Sequence, residues 1–151
     1  MTKIINLTIL KYFLIIFIII TPNLNKAEEI LIYADSISYD EDGNIIAAGN
    51  AKIFHSDNLI ISDLIIYNKL DQKIVLPSKF TFKDSKNNFF EGDNGFFQKN
   101  LDVAEFNNPK IQLNDGSRIV GKKIKREGHI DIISKGVYSP CKSRIKIANF
   151  I

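Results

Sequence analysis

From residue 28 onward the sequence predicts an all-β domain, an elongated twisted β-jelly roll or a solenoid-like stack of antiparallel strands. Three observations support this fold class. Apolar and polar residues alternate along most of the chain, which is the period of a half-buried strand. Clusters rich in Asp, Asn and Gly separate the alternating segments and supply the conformations that hairpin turns need. One short element also recurs at nearly constant spacing, which predicts stacked β-units.

The alternating segments follow one another in a regular order along the chain. Each contains β-branched or aromatic residues, and none has the 3.6-residue period of a helix. The predicted strands are "SISYD" at 36–40, "NIIAAGNAKIF" at 44–54, "LIISDLIIYN" at 59–68, "KFTFKD" at 79–84, "KIQL" at 110–113 and "HIDII" at 129–133. The predicted turns are "DEDGN" at 40–44, "HSDN" at 55–58, "NKLDQ" at 68–72, "DSKNN" at 84–88 and "NDGS" at 114–117.

The repeat begins at "ADSISYD" and recurs as "SDLIIYN", with weaker copies at "GDNGFFQ" and "GKKIKRE". Its equivalent positions are Asp35, Asp63, Asp93 and Lys122, which are separated by 28, 30 and 29 residues. Two positions further on lie Ile37, Ile65, Gly95 and Ile124, and four positions further on lie Tyr39, Tyr67, Phe97 and Arg126. Units of this length without a helix leave apolar surface for a neighbour to cover, which predicts a continuous stack.

The N-terminus has the pattern of a secretory signal peptide. Lys3 and Lys11 precede the apolar run "YFLIIFIII" at 12–20, which is shorter than an ordinary membrane span. We expect a signal peptide at 1–27 with cleavage after Ala27, and an uncleaved N-terminal anchor is the alternative. Either outcome places the remainder in an extracytoplasmic space, as one domain at 28–141 followed by the start of a linker at 142–151.

Motifs and composition predict a protein without a catalytic site, a metal site or a cofactor. His55 and His129 lack metal-ligand spacing, and the chain has neither a nucleophile elbow nor a phosphate-binding loop. The net charge of +3, with 25% charged residues, is too small to indicate nucleic acid as a partner. We therefore expect a binding or structural protein rather than an enzyme.

The segment "NIIAAGNAKIF" predicts a strand with one apolar face whose central side chains are small. That face carries Ile45, Ala47, Gly49, Ala51 and Ile53. Small side chains leave space for a ligand groove, or they oppose large side chains such as Phe80 and Phe82 across a closed sandwich. The residues alone leave both interpretations open.

Two features near the C-terminus are candidates for contacts with other molecules. The basic run "RIVGKKIKR" either faces lipid phosphates or forms a solvated strand face whose lysines block edge aggregation. Cys141 is the only cysteine, so in an oxidising compartment it is a free thiol or bonds to a partner outside this sequence. The candidate phosphate contacts are Arg118, Lys122, Lys123, Lys125 and Arg126.

The segment at 34–68 resembles the OstA-like domain of the lipopolysaccharide-transport proteins LptA and LptD. The family pattern is A-D-x-I-x-Y, a turn, and then alternating residues into G-N, a small apolar residue and an aliphatic one. "GVYSPC" at 136–141 is similar to the cysteine-containing segment that, in LptD, lies between the periplasmic domain and the outer-membrane barrel. The matching residues are Ala34, Asp35, Ile37, Tyr39, Gly49, Asn50, Ala51 and Ile53, with Ser62, Asp63, Ile65 and Tyr67 repeating the first part.

The resemblance implies a twisted jelly roll that shields lipopolysaccharide acyl chains in the periplasm, or at the periplasmic side of the outer membrane. It implies that the chain is the periplasmic domain of an LptD-like protein, truncated before the barrel, which receives lipopolysaccharide from an LptA-like bridge protein docked to an edge strand. The expected partners of the full-length protein are the barrel portion, which would hold the disulfide partner of Cys141, and an LptE-like lipoprotein. A free-standing LptA-like bridge and a structural β-solenoid without a lipid site are the alternatives. With strand parity, the resemblance predicts a groove lined by Ile37, Tyr39, Ile45, Ala47, Gly49, Ala51, Ile53, Ile61, Ile65, Tyr67 and Phe97.

Overall fold

The computed structural model describes residues 30–141, so the predicted signal peptide and the predicted linker at 142–151 lie outside the described residues. Every regular element in that range is a β-strand, which confirms the all-β prediction. No helix among the described residues is long and apolar enough to cross a membrane. The strands are β1 (Ile30–Tyr33), β2 (Ser36–Tyr39), β3 (Ile45–His55), β4 (Asn58–Asn68), β5 (Lys73–Lys83), β6 (Phe89–Gln98), β7 (Val103–Gln112), β8 (Arg118–Val120), β9 (Lys123–Glu127), β10 (Ile130–Ser134) and β11 (Val137–Ser139).

The strands form one antiparallel sheet in which β3 to β7 follow chain order. At one edge β1 and β2 both pair with β3, and near the other edge β8 and β9 both pair with β7. β11 then pairs with β8, and β10 pairs with β9. The short strands β1 and β2, β8 and β9, and β10 and β11 therefore act as halves of longer strands, which gives eight long strands in the described part of the chain.

Each long strand is sharply bent near its middle. Phe97 is the Cα partner of Ile74, which lies eight residues before Phe82 on β5. A straight strand would separate Ile74 from Phe82 by about 26 Å. The rings of Phe82 and Phe97 are nevertheless only 4.9 Å apart, so the two halves of β5 face each other.

The bends coincide from strand to strand, so the sheet folds into two layers that enclose one interior. Register shifts mark the bend between Ala48 and Ala51 on β3 and between Ser62 and Ile66 on β4. Layer 1 contains β1, β8 and β11 with residues 51–55, 58–62, 79–83, 89–92 and 110–112. Layer 2 contains β2, β9 and β10 with residues 45–48, 64–68, 73–76, 95–98 and 103–107.

Asn and Asp side chains support the bend. Asn50 and Asn108 have φ of 47° and 50°, a left-handed conformation that Asn tolerates better than most residues. The side-chain amide of Asn50 donates a hydrogen bond to Asp35 at 2.8 Å, and that of Asn108 donates to Asp93 at 3.1 Å. Asp35 and Asp93 are repeat positions, so the repeat found in the sequence marks the bends of alternate strands.

Two predicted turns share one hydrogen-bond pattern. In "DEDGN", Asp40 accepts hydrogen bonds from the backbone N–H groups of Asp42 and Asn44 and from the Asn44 side chain. In "DSKNN", Asp84 accepts the same set from Lys86 and Asn88. The Asn44 side-chain donor, together with these N–H groups, lowers the pKa of Asp40 below its ordinary value. These turns are local hairpin connections built by the Asp side chain.

Candidate ligand-binding interior

One row of side chains crosses the whole of layer 2 on its inner face. Cα partners in antiparallel strands point to the same side of the sheet, so a chain of partners defines a row. The row begins at Tyr39, at the edge that the N-terminal strands form, and ends at Asp131, at the edge that the C-terminal strands form. In order it contains Tyr39, Ile45, Tyr67, Ile74, Phe97, Ala104, Arg126 and Asp131.

A second row crosses the inner face of layer 1 and faces the first. It begins at Ile32 and ends at Tyr138, so it also runs from the N-terminal edge to the C-terminal edge. Of the side chains in the two rows, only Arg126 and Asp131 carry a formal charge. In order the second row contains Ile32, Ile53, Ile60, Phe82, Phe90, Ile111, Ile119 and Tyr138.

The middle of the interior is closely packed with aromatic rings. Phe97 is fully buried, and its ring centroid lies 5.8 Å from that of Phe80 and 5.9 Å from that of Phe106. Phe80 and Phe106 meet edge to face at 5.1 Å. Such offset and edge-to-face contacts are favourable aromatic geometries, so this part of the interior is a closed core.

The N-terminal end of the interior is open. Ile37 and Tyr39 lie opposite Ala47 and Ile45, so their side chains point to the inner side of the sheet. Ile37 is nevertheless 50% exposed and Tyr39 is 73% exposed, because the described chain has no strand beyond β2 to cover them. This end therefore presents inward-facing apolar side chains to solvent.

The C-terminal end of the interior contains a cavity of about 430 Å³. Its rim includes residues of three turns, at 84–88, 100–102 and 128–129. Arg126 and Asp131 lie against it as a two-point ion pair, with Nε to Oδ1 at 2.7 Å and Nη2 to Oδ2 at 2.9 Å. Its apolar wall is formed by Phe82, Phe90, Leu101, Ile111, Ile119 and Ile133.

Ten of the eleven predicted groove residues occupy three kinds of position. The structure places Ala47, Ala51, Ile53, Ile65, Tyr67 and Phe97 in the buried core, and Ile45 packs against that core. Ile37 and Tyr39 lie at the open N-terminal end. Gly49 lies at the bend with a φ of 76°, next to the Asp35 side chain.

Ile61 departs from the predicted lining. It pairs with Lys52 and Thr81, whereas its neighbour Ile60 occupies the inner row of layer 1. The irregularity between Ser62 and Ile66 shifts the strand by one position, which moves residue 61 to the outer face. The burial of Ala47 and Ala51 likewise places these small residues in closed packing rather than along an open groove.

The candidate phosphate contacts do not form one basic patch. Lys123 pairs with Glu105 at 2.6 Å and Lys125 pairs with Glu127 at 2.8 Å, both on exposed surface. The Lys125 hydrogen bond lowers the pKa of Glu127, and the same bond raises the pKa of Lys125. Lys122 is exposed at the bend, and Arg118 donates to the Cys141 carbonyl oxygen at 3.5 Å. Arg126 alone of the five belongs to the inner rows.

Cys141 is an exposed free cysteine that follows the last strand. Its backbone N–H donates to the Ser139 hydroxyl oxygen at 3.3 Å. The thiol is therefore accessible to a partner outside the described residues. The disulfide expected for Cys141 stays a prediction.

Sequence reasoning missed the C-terminal cavity, because its wall and rim come from distant segments. Phe90, Ile119 and Asp131 carry no motif, and Asp131 sits between isoleucines in "HIDII". The repeat contained one usable signal. Arg126 stands at the position that is aromatic in the three earlier units, and this substitution marks the charged end of the row.

The fold defines a class of protein, an antiparallel β-jelly roll whose folded sheet, over residues 30–141, is open at both edges. Among solved structures it is similar to LptH from Pseudomonas aeruginosa, described as the LptA homologous periplasmic component of the conserved lipopolysaccharide transport device. The two chains are 14% identical with a TM-score of 0.60, and the match covers 70% of this chain and 82% of LptH. No family model matches the sequence, and no curated protein matches it significantly. The LptA-like jelly-roll fold that the sequence predicts is thereby confirmed.

Proposed function

We propose that this chain is a periplasmic lipopolysaccharide-transport domain that shields acyl chains between its two layers. The observation that carries the proposal is the pair of inner rows, which are apolar up to the Arg126–Asp131 pair and reach both ends of the interior. Burying one CH₂ group contributes about 0.8 kcal/mol, so an apolar interior favours a lipid with several chains. The likeness to LptH supports the same role.

Lipid loading requires the two layers to separate, because aromatic rings fill the middle of the interior. The bend joins the layers along one side, and hairpin turns line the opposite side. The layers therefore part on the side of the turns, with the bend as the hinge. Acyl chains replace inter-layer contacts, and the sugars remain in water.

The two edges are the docking surfaces for neighbouring bridge proteins. β1 and β2 form one edge and β10 and β11 form the other, and among the described strands neither edge has a further partner. Because the long strands alternate in direction and number eight, an added copy of the same fold would continue the antiparallel order. Main-chain hydrogen bonds supply affinity in this mode of strand addition.

Two assemblies fit this function equally well. In the first, the chain is the periplasmic domain of an LptD-like protein, and the exposed Cys141 forms a disulfide with a barrel portion that acts with an LptE-like lipoprotein. In the second, the chain is a free-standing LptA-like bridge. An envelope immunoblot with and without reductant separates them, because only the first yields a larger species whose mobility changes on reduction.

A fluorescence displacement assay tests lipid binding directly. We expect the full chain to bind N-phenyl-1-naphthylamine and lipopolysaccharide to displace it. Ile37→Asp places a charge at the open inner end and should abolish most of this binding. Ile132→Asp is the matched control, since Ile132 is similarly exposed but pairs with Lys125 on the outer face. A folded wild-type protein that takes up no probe would favour the structural solenoid.

A further inference from the structure

The last unit of the repeat places a charge where the other units place an aromatic ring. Arg126 corresponds to Tyr39, Tyr67 and Phe97 and continues the same inner row. An aromatic residue at 126 would extend the row without desolvating a charge. A charged group in a partly buried site instead carries a desolvation penalty that its partners must offset.

The Arg126 guanidinium lies at the boundary between the aromatic core and the C-terminal cavity. It is 5.3 Å from the centroid of the Phe90 ring and 5.9 Å from that of Phe82. Its side chain is only 16% exposed, whereas those of Lys123 and Lys125 are 47% and 56% exposed. A positive charge above ring faces is favourable, and low exposure strengthens its attraction for an anion.

Asp131 holds the Arg126 guanidinium with the two-point geometry that a phosphate or a carboxylate ligand would use. Its side chain is 30% exposed and belongs to β10, which among the described strands pairs with β9 alone. Because the carboxylate is partly exposed and a change of side-chain rotamer leaves the backbone pairing of β9 and β10 intact, it can turn toward solvent. The apolar wall of the cavity, formed in part by Ile111, Ile119 and Ile133, lies beside the same pair.

We propose that Arg126 and Asp131 form an exchangeable anion site at the C-terminal end of the interior. The phosphate or carboxylate of an amphiphile displaces Asp131 from Arg126, while its apolar chain lies against the isoleucine wall. Asp131 occupies the site in the empty protein and so prevents Arg126 from being left unpaired. This site specifies the chemistry of the ligand, and it rests on the proposed binding of lipid in the interior.

Two variants of the Arg126–Asp131 ion pair test the site, because they should change the affinity for an anionic amphiphile in opposite directions. Titration calorimetry on the full chain would compare dodecyl phosphate with the uncharged dodecyl maltoside. Arg126→Gln should weaken dodecyl phosphate binding about tenfold, because the charged donor is lost. Asp131→Asn should strengthen it about threefold, because the competing carboxylate is lost. Neither variant should change dodecyl maltoside binding by more than about twofold.

The neighbouring ion pair supplies matched controls. Lys125→Gln and Glu127→Gln break an exposed pair on the same strand and should leave dodecyl phosphate binding unchanged. Arg126→Lys keeps the charge and should retain more binding than Arg126→Gln. Equal weakening by Arg126→Gln and Asp131→Asn would show a purely structural ion pair and overturn the proposal. The proposal would also be overturned if inorganic phosphate competed as strongly as dodecyl phosphate, because the dodecyl group would then contribute nothing to binding.

The same titrations separate failure of this site from failure of the proposed function. If wild-type protein binds neither dodecyl maltoside nor dodecyl phosphate, interior lipid binding is wrong, and the site fails with it. If both detergents bind with equal affinity and the two variants have no effect, the interior binds lipid and only the anion site is wrong.

Discussion

The middle of the interior and its two ends belong to the same rows of side chains but differ in packing. Phe97 lies mid-row without exposure and contacts three other phenylalanine rings. At one end of that row Tyr39 points inward but is largely solvent-exposed, and at the other end Arg126 and Asp131 border a cavity. We infer that the middle stabilises the closed fold and that the ends are where a ligand makes its first contacts with the interior.

The largest effect should come from removing a ring in the middle. Phe97→Ala should lower the free energy of unfolding by about 3–5 kcal/mol, because the lost contacts and the cavity both destabilise the fold. Urea denaturation followed by circular dichroism measures the change. A loss under about 1.5 kcal/mol would mean that the middle collapses easily and does not differ from the ends.

A smaller loss should follow from adding one carbon at the bend side of the core. A Cβ at Gly95 would overlap the Cβ of Phe106 and the Glu105 carbonyl oxygen and would lie 2.8 Å from the Phe106 Cα. Because two of these atoms are backbone, they cannot move aside, and Gly95→Ala should cost about 1–3 kcal/mol. Gly136→Ala is the control, since the nearest atom to its Cβ is a methyl of Ile133 at 3.2 Å. Equal stability of both variants in urea would contradict close packing at Gly95.

Gly95 also shows how far the sequence could predict this fold. The repeat places Gly95 where the other units have isoleucine, and Phe106 on the next strand fills the space of the missing side chain. Alternation and turn chemistry are local, so β2, β3, β4 and β10 and the row through Tyr39, Tyr67 and Phe97 were predictable. The predicted strands did not include β1, β6, β8, β9 and β11. The replacement of one side chain by a neighbour's ring depends on cross-strand register, which no single segment encodes.

The candidate site was less predictable than the fold, for a related reason. Strand parity assigns Ile61 to the interior only if β4 is regular, and its irregularity at the bend reverses the assignment there. The cavity requires the bend itself, because its wall comes from both layers. The sequence did identify Arg126 and Cys141, but neither their exposure nor the pairing of Arg126 with Asp131 follows from spacing.

A pH-dependent loss of stability should distinguish Tyr67 from an exposed tyrosine. Burial raises the pKa of the Tyr67 phenol above its ordinary value of 10.0. The unfolded chain therefore releases this proton at lower pH than the folded chain. The contribution of the protonated Tyr67 phenol to the free energy of unfolding is fully present below pH 10 and is lost as the pH rises through the raised pKa. Urea denaturation should show that the free energy of unfolding of the wild type falls relative to that of Tyr67→Phe between about pH 8 and about pH 10.5.

The smallest change in stability should come from the open end of the same row. Tyr39 is 73% exposed, so Tyr39→Ser should change the free energy of unfolding by no more than about 0.5 kcal/mol. It should still weaken the binding of N-phenyl-1-naphthylamine, because the side chain faces the entrance to the interior. Leu70→Ser removes an even more exposed apolar residue from a turn and should change neither quantity.

If Tyr39→Ser destabilises the fold as much as Phe97→Ala does, the end of the row is core as well, and the distinction between middle and ends fails. If stability and probe binding both stay unchanged, Tyr39 lies outside the path of the ligand, and the entrance must be the C-terminal cavity.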